Sequence, residues 1–238
     1  MRFVLVHGSW QDGRCWDATV AELTAQGHHA LAPTLPGNGD RQNPAVTMAE
    51  TAAAVVELIE GEDLRDVVLV GHSFGGAVVQ LAALQVAERL ARLVFYNAYV
   101  LDDGDAVFSH VPASVAPAFQ ALADPDGTLT LPWTFFRDHL MNDADTETAA
   151  AAYAMTSPEP LGRSAEPLDL AGFADLAVPR SYVHATGDNV FPAREFSWHP
   201  GMSQRLGDFR LVSIPGGHEL MFSDPRALAD ALVLAGSE

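Results

Sequence analysis

Val67-Val68-Leu69-Val70-Gly71-His72-Ser73-Phe74-Gly75-Gly76-Ala77-Val78-Val79-Gln80-Leu81-Ala82-Ala83-Leu84 decides the reading of this chain. The leading apolar run reads as a buried strand, the Gly-x-Ser-x-Gly pattern as a sharp turn, and the residues from Ala77 onward as a helix. Strand, turn and helix with a serine at the apex is the context a nucleophile elbow requires. Small residues at 71 and 75 let strand and helix approach closely, while the turn holds Ser73 in a strained backbone state. The strain exposes the hydroxyl, and the helix aims its first amides at any negative charge that develops there.

Outward from the elbow, strands and helices alternate. Buried strands are expected over residues 3–6, 29–35, 66–70, 92–98, 179–185 and 209–214. A helix over 17–26 ends at Gly27. Thr47 and Glu50 form a capping box that opens a second helix, running to about residue 60, and Asp224 with Pro225 opens the last one. Near-continuous apolar strands between helices indicate a parallel sheet covered on both faces. Residues 102–177 break the rhythm. They show no clear strand, carry Pro112, Pro117, Pro125, Pro132, Pro158, Pro160 and Pro167, and contain a helical stretch at 146–155. The segment is too long for a plain loop, and Phe108, Phe119, Trp133, Phe135, Phe136 and Tyr153 need burial. We read residues 1–101 and 178–238 as the core, and 102–177 as a helical cap over the carboxyl ends of the strands.

The 238 residues suffice for one α/β domain with a sizeable core. No apolar run approaches the roughly 20 residues of a membrane span. The strand pattern begins at Phe3 without a signal stretch, so a cytoplasmic location is expected. A single cysteine, Cys15, rules out an internal disulfide and reads as a packed thiol. A net charge of −18 argues against nucleic acid and anionic membrane partners. No lysine is present, which excludes Schiff-base, pyridoxal-linked and Walker-type chemistry. No cofactor is called for. The oligomeric state is open, a homodimer being compatible with the sequence.

A serine hydroxyl needs a base, and the base needs a group to orient it. Behind an elbow of this kind the chain order is serine, acid, histidine. His218 lies on the glycine-rich turn 215–217 just after the last strand, on the same carboxyl-end rim as Ser73. His28 and His29 fall on the opposite rim; His110, His139 and His199 fall in cap or loop segments; His184 lies within a strand; His72 packs or bonds locally. No pair of histidines has metal-ligand spacing with a third ligand nearby, so no metal site is expected. The acid is assigned to Asp188, after the fifth strand, with Asp102 or Asp103 as rivals after the fourth. The oxyanion of an acyl-transfer intermediate needs two donors. The Phe74 amide, after the nucleophile, is one. Val6-His7-Gly8-Ser9-Trp10 resembles a His-Gly oxyanion loop, and the Ser9 amide is the candidate second; His7 fixes the loop rather than transferring protons.

These motifs together resemble the α/β-hydrolase superfamily over essentially the whole chain. Residues 3–10, Trp16 and 71–76 look like the group containing plant methylesterases, hydroxynitrile lyases and their bacterial esterase relatives. The resemblance implies a mainly parallel sheet of about six strands. It also implies a serine esterase or lactonase acting on a small, largely apolar ester through an acyl-enzyme on Ser73. Some hydroxynitrile lyases of this group place threonine at position 8 and lysine after the catalytic histidine. Gly8 and Glu219 stand here instead, and a carboxylate would repel cyanide, which disfavours the lyase reading. Carbon–carbon cleavage in tailoring a natural product, and a ligand receptor, are the alternatives; an intact triad disfavours the receptor. Trp10, Trp133, Phe136, Leu220 and Met221 are the candidate pocket walls.

Overall fold

The computed structural model describes residues 1–191 and 196–237. Residues 192–195 and 238, which the core expectation included, lie outside the described residues. Strands β1 (Arg2–Val6), β2 (His29–Leu31), β3 (Val67–His72), β4 (Leu90–Tyr96), β7 (Arg180–Ala185) and β8 (Arg210–Ile214) form one sheet in the order β2-β1-β3-β4-β7-β8. All five pairings are parallel, so every carboxyl end points to one rim. This is the expected α/β-hydrolase sheet. The second strand stops at Leu31, four residues short of the expectation, because Pro33 has no amide to continue a ladder.

Alternation along the strands sorts the core into two layers. Val4, Val6, Leu69, Leu93 and Phe95 face α2 (Met48–Gly61) and α3 (Gly75–Val86). Phe3, Leu5, Val68, Val70 and Val94 face α1 (Asp17–Ala25) and α9 (Pro225–Gly236). The expected capping box forms, Thr47 Oγ1 accepting from the Glu50 amide and Glu50 from the Thr47 amide. Asp224 caps α9 by accepting from the Ala227 amide.

Between β4 and β7 the chain forms α4 (Val115–Leu122), β5 (Thr128–Leu129), α5 (Trp133–Phe135), α6 (Thr146–Tyr153), β6 (Glu159–Pro160) and α7 (Gly162–Ala165). β5 and β6 pair antiparallel, a short two-stranded sheet in a segment that showed no strand pattern. Two residues per strand are too few to leave a periodicity in sequence. The segment has its own apolar cluster, in which Phe136, Leu140 and Met141 are buried and Phe119, Trp133, Phe135 and Tyr153 are partly buried.

Candidate active site

Register brings the site together. Val6 pairs with Gly71, His72 with Tyr96, Tyr96 with Val183, and Ala185 with Ile214. The loops that follow β1, β3, β4, β7 and β8 therefore leave the sheet side by side, carrying Ser9, Ser73, Asn97, Asp188 and His218.

Ser73 sits at φ 52, in the left-handed region that non-glycine residues avoid. Its neighbours explain how the turn is tolerated: a Cβ on Gly71 would lie 2.6 Å from the Gly75 carbonyl oxygen, and one on Gly75 2.7 Å from that of Val6. The Ser73 carbonyl accepts from the Gly76 and Tyr99 amides, at 3.0 and 3.1 Å, which pins the turn to the start of α3 and to the segment after β4.

His218 Nδ1 lies 2.5 Å from Asp188 Oδ2, and the Asp188 side chain is fully buried. A carboxylate only accepts, so Nδ1 carries the proton and donates, and Nε2 keeps its lone pair. Burial alone would lower the His218 imidazole, but the Asp188 charge and hydrogen bond outweigh it and hold the group above its ordinary 6.5. Asp188 accepts twice more, from Asn97 Nδ2 at 2.6 Å and the Val190 amide at 2.9 Å. The His218 backbone is gripped too: its carbonyl accepts from Tyr96 Oη at 2.7 Å and from His72 Nε2 at 3.1 Å. Trp198 stacks on the His218 ring with centroids 5.3 Å apart and planes 19° apart. Ser73 and His218 border one cavity. Among the described residues no hydrogen bond joins the Ser73 hydroxyl to the imidazole; such contacts commonly tighten in the complex with substrate.

The rival acids are engaged elsewhere. Asp102 Oδ2 lies 2.5 Å from Arg205 Nη1, and Asp103 Oδ1 accepts from the Leu170 amide at 2.8 Å. His7 is buried; its Nε2 accepts from the Leu35 amide at 3.0 Å, so its Nδ1 donates to the Gly8 carbonyl at 2.8 Å. Burial pushes this imidazole down to about 4, so it stays neutral at ordinary pH and braces the loop. Ser9, on that loop, borders the cavity; Phe74 is the N-cap residue of α3, directly after Ser73, and is not among the residues that line the cavity.

The cavity's empty volume, mouth included, is about 890 Å³. Its walls are largely apolar and aromatic: Tyr99, Phe108, Phe119, Phe135, Leu161 and Phe191 among them. Of the expected walls, Trp10 lines it and the other four do not. Trp133 and Phe136 pack edge-on or tilted against Tyr153, at 5.3 and 5.4 Å between centroids, inside the apolar cluster of the 102–177 segment. Leu220 and Met221 belong to α8 (Leu220–Ser223), which turns them beneath the sheet against the Phe3 and Leu228 layer. Closeness to His218 in the chain therefore does not place a residue at the cavity: of residues 219–221 only Glu219 borders it.

Glu219 borders the cavity and is 1% exposed, and Gln11 Nε2 donates to its carboxylate. Burial pushes its carboxyl up to about 7. Spacing gave no metal-ligand set. In space, however, ligand atoms of His72, His218 and Glu219 lie within 4.8 Å of one another. His72 Nε2 and Glu219 already hold protein partners, the His218 carbonyl and the Gln11 amide.

Sequence reasoning missed Asn97, Tyr96, Trp198, and the buried pair Glu159 and Arg163 beside the Ser9 loop. Only Asn97 carried a signal: it lies at the carboxyl end of the expected 92–98 strand, on the catalytic rim, and asparagine tolerates the left-handed φ of 35 that ends the observed strand at Tyr96.

Residues 3–231 match the profile of the Alpha/beta hydrolase family. A carbendazim hydrolyzing esterase from Nocardioides sp. is 32% identical over 98% of this chain and 99% of its own. A pyrethroid hydrolase from Sphingobium wenxiniae is 28% identical over 96% of this chain and 85% of its own. Among solved structures, an extracellular alpha/beta-hydrolase from a Paenibacillus species superposes with a TM-score of 0.97 at 38% identity, covering 100% of both chains. That protein is described as sharing structural and functional homology with tobacco Salicylic Acid Binding Protein 2. Putative methylesterases and an alpha-hydroxynitrile lyase of Arabidopsis thaliana match as well, so the expected kinship holds on both its plant and its bacterial side.

Proposed function

The chain belongs to the alpha/beta hydrolase family as an esterase-type enzyme, and from that premise we propose that it hydrolyses small, largely apolar carboxylic esters or lactones through an acyl-enzyme on Ser73. The observation that carries this reading is the convergence of Ser73 and the His218–Asp188 pair on one aromatic-walled cavity.

In the proposed reaction His218 Nε2 takes the Ser73 proton as Oγ attacks the ester carbonyl carbon. The Ser9 and Phe74 amides hold the oxyanion. Asp188 keeps the imidazole in the tautomer that Nε2 chemistry needs and stabilises the imidazolium once it forms. The imidazolium returns its proton to the departing alcohol, leaving the acyl group on Ser73. Water, deprotonated by the same nitrogen, then releases the acid. Gly8 supports an open approach to the hydroxyl, since a Cβ there would lie 3.0 Å from that of Ser73. Residues 102–177 act as the cap that sets specificity: Val107, Phe108, Phe119, Phe135 and Leu161 all reach the cavity from it. A flat, aromatic or alicyclic ester without charge suits such walls. The partner is thus a small molecule, neither nucleic acid nor membrane.

No helix among the described residues is long and apolar enough to cross a membrane. Placement in the cytoplasm is a proposal from sequence alone, since the similar Paenibacillus protein is extracellular.

The test is turnover of p-nitrophenyl acetate and benzoate together with fluorophosphonate labelling, using Ser73→Ala as control. Hydrolysis and labelling that both vanish in the variant are expected. A wild-type protein that neither hydrolyses these esters nor takes the label overturns the proposal.

A further inference from the structure

A buried ion pair beside the Ser9 loop, whose Glu159 also borders the cavity, has no part in the proton transfers above. Arg163, 0% exposed, donates from Nε and Nη2 to Glu159 Oε1 at 3.1 and 2.8 Å. Glu159, 1% exposed, uses its other oxygen, Oε2, to accept from the Trp10 amide and from Asn38 Nδ2, both at 2.9 Å. Arg163 Nη1 donates to the Pro36 carbonyl at 2.9 Å, and Nη2 donates to Asn38 Oδ1. Every partner lies within the protein, although a pair of charges this deep costs desolvation that apolar residues of the same volume would avoid.

The two ends of this pair reach the two halves of the proposed oxyanion hole. On one side is Trp10, next to Ser9 and strained at φ 63. Its amide is held by Glu159, its carbonyl accepts from the Ser157 amide at 2.8 Å, and its indole Nε1 donates to the Leu129 carbonyl at 2.9 Å. Residues 157–159 thus hold both peptide groups of the residue after Ser9. On the other side the Arg163 guanidinium lies 4.6 Å from the centroid of the Phe74 ring, the residue whose amide is the other donor. An ammonium could also be drawn to that ring face, but without the planar fork of the guanidinium it could not hold this position and the hydrogen bonds to Glu159, Pro36 and Asn38 together.

We infer that Glu159 and Arg163 are positioning residues through which the cap holds the Ser9 and Phe74 amides at the spacing an oxyanion requires. The inference rests on the acyl-transfer reading of Ser73. Neither residue touches the reacting atoms in that role. They act by fixing the two donors in advance, the condition under which oxyanion stabilisation is large.

The test compares the wild type with Glu159→Leu/Arg163→Met, which removes both charges together and leaves neither stranded. The readouts are the inhibition constant of an aryl trifluoromethyl ketone, which forms an oxyanion adduct on the serine, and the kcat and KM for p-nitrophenyl acetate. Thermal unfolding reports whether the variant is folded. A positioning role predicts a folded double variant whose ketone affinity and kcat both fall about 10- to 100-fold, with KM within about two-fold of wild type. A folded double variant with wild-type ketone affinity and kcat overturns the inference. Arg163→Lys provides a milder second test, keeping a cation beside Glu159 while losing the flat face over Phe74. It should weaken ketone binding roughly three- to ten-fold, and unchanged binding overturns the inference even where the double variant fails to fold. Failure of the wild type itself to bind the ketone or turn over the ester indicts the acyl-transfer reading instead.

Discussion

Replacing Glu219 with glutamine should make the protein more stable at alkaline pH, by an amount the structure allows us to estimate. Glu219 is buried beside His218 and accepts a hydrogen bond from Gln11 Nε2. Burial raises its carboxyl from the ordinary 4.5 to about 7. Between those values the folded chain keeps a proton that the unfolded chain has lost, so stability falls as pH rises through the interval and levels off above it. The gap corresponds to about 3 kcal/mol at pH 8. Glutamine cannot ionise, so this loss disappears in the variant. Its side-chain carbonyl still accepts from Gln11, and its amide can donate to Gln11 Oε1, a buried oxygen with no partner among the described residues. The Glu219 charge also helps to raise His218. A raised histidine stabilises at low pH and loses that contribution as pH climbs through its folded value, so weakening it changes the result with the same sign. The assay is urea unfolding of wild type and variant at pH 5 and pH 8. Because the unfolded carboxyl is already largely ionised at pH 5, the stability difference, variant minus wild type, should be about 2.5 kcal/mol more favourable at pH 8 than at pH 5. A difference that does not depend on pH refutes the reasoning, because it would mean that Glu219 titrates alike in the folded and unfolded chains.

Four further outcomes follow from the same geometry. Asp188→Asn should lower kcat about 10,000-fold while leaving the fold intact, because an amide favours the wrong imidazole tautomer; ester turnover and circular dichroism check this, and near-wild-type turnover would return the acid role to Asp102 or Asp103. The wild-type kcat/KM should fall as pH drops through a midpoint above 6.5, since His218 must be neutral and its environment favours the proton; Glu219→Gln should move that midpoint down in a pH–rate profile. Asn97→Ala removes the 2.6 Å hydrogen bond to Asp188 Oδ2 and should cost roughly ten-fold in kcat with little change in KM, measured on the same ester. Gly76→Ala should destabilise the fold by several kcal/mol, on the order of a severe overpacking change, because the new Cβ would lie 2.2 Å from the Tyr99 carbonyl oxygen; urea unfolding reports it, and wild-type stability would contradict the close approach.

How much of this was legible in sequence depended on range. The elbow, the Thr47–Glu50 capping box and the Pro225 helix start are local patterns, and each is set by neighbours a few residues apart. The placement of His218 and Asp188 was readable because the strand pattern told which rim each loop occupies. What escaped is set by contacts across the fold. Asn97 and Asp188 are 91 residues apart, and Asn38 meets Arg163 over 125. Nothing in the apolar or charge pattern around 159–163 marks it as buried, and an i,i+4 glutamate–arginine pair usually reads as an exposed helix pair. Leu220 and Met221 show the converse limit: lying next to His218 in the chain placed them at the cavity on paper, while the turn of α8 sends them beneath the sheet. The β5–β6 pair was invisible because strands of two residues have no period to detect.

The covalent state of Ser73 is the most direct measure of the mechanism. Rapid-quench mass spectrometry of the protein with p-nitrophenyl benzoate should show, within the first turnover, a peptide containing Ser73 that is heavier by one benzoyl group. The adduct should decay at the steady-state rate and be absent from Ser73→Ala. Hydrolysis that proceeds undiminished in that variant, or turnover without any acylated Ser73 under conditions where deacylation is slow, would contradict an acyl-enzyme at the elbow.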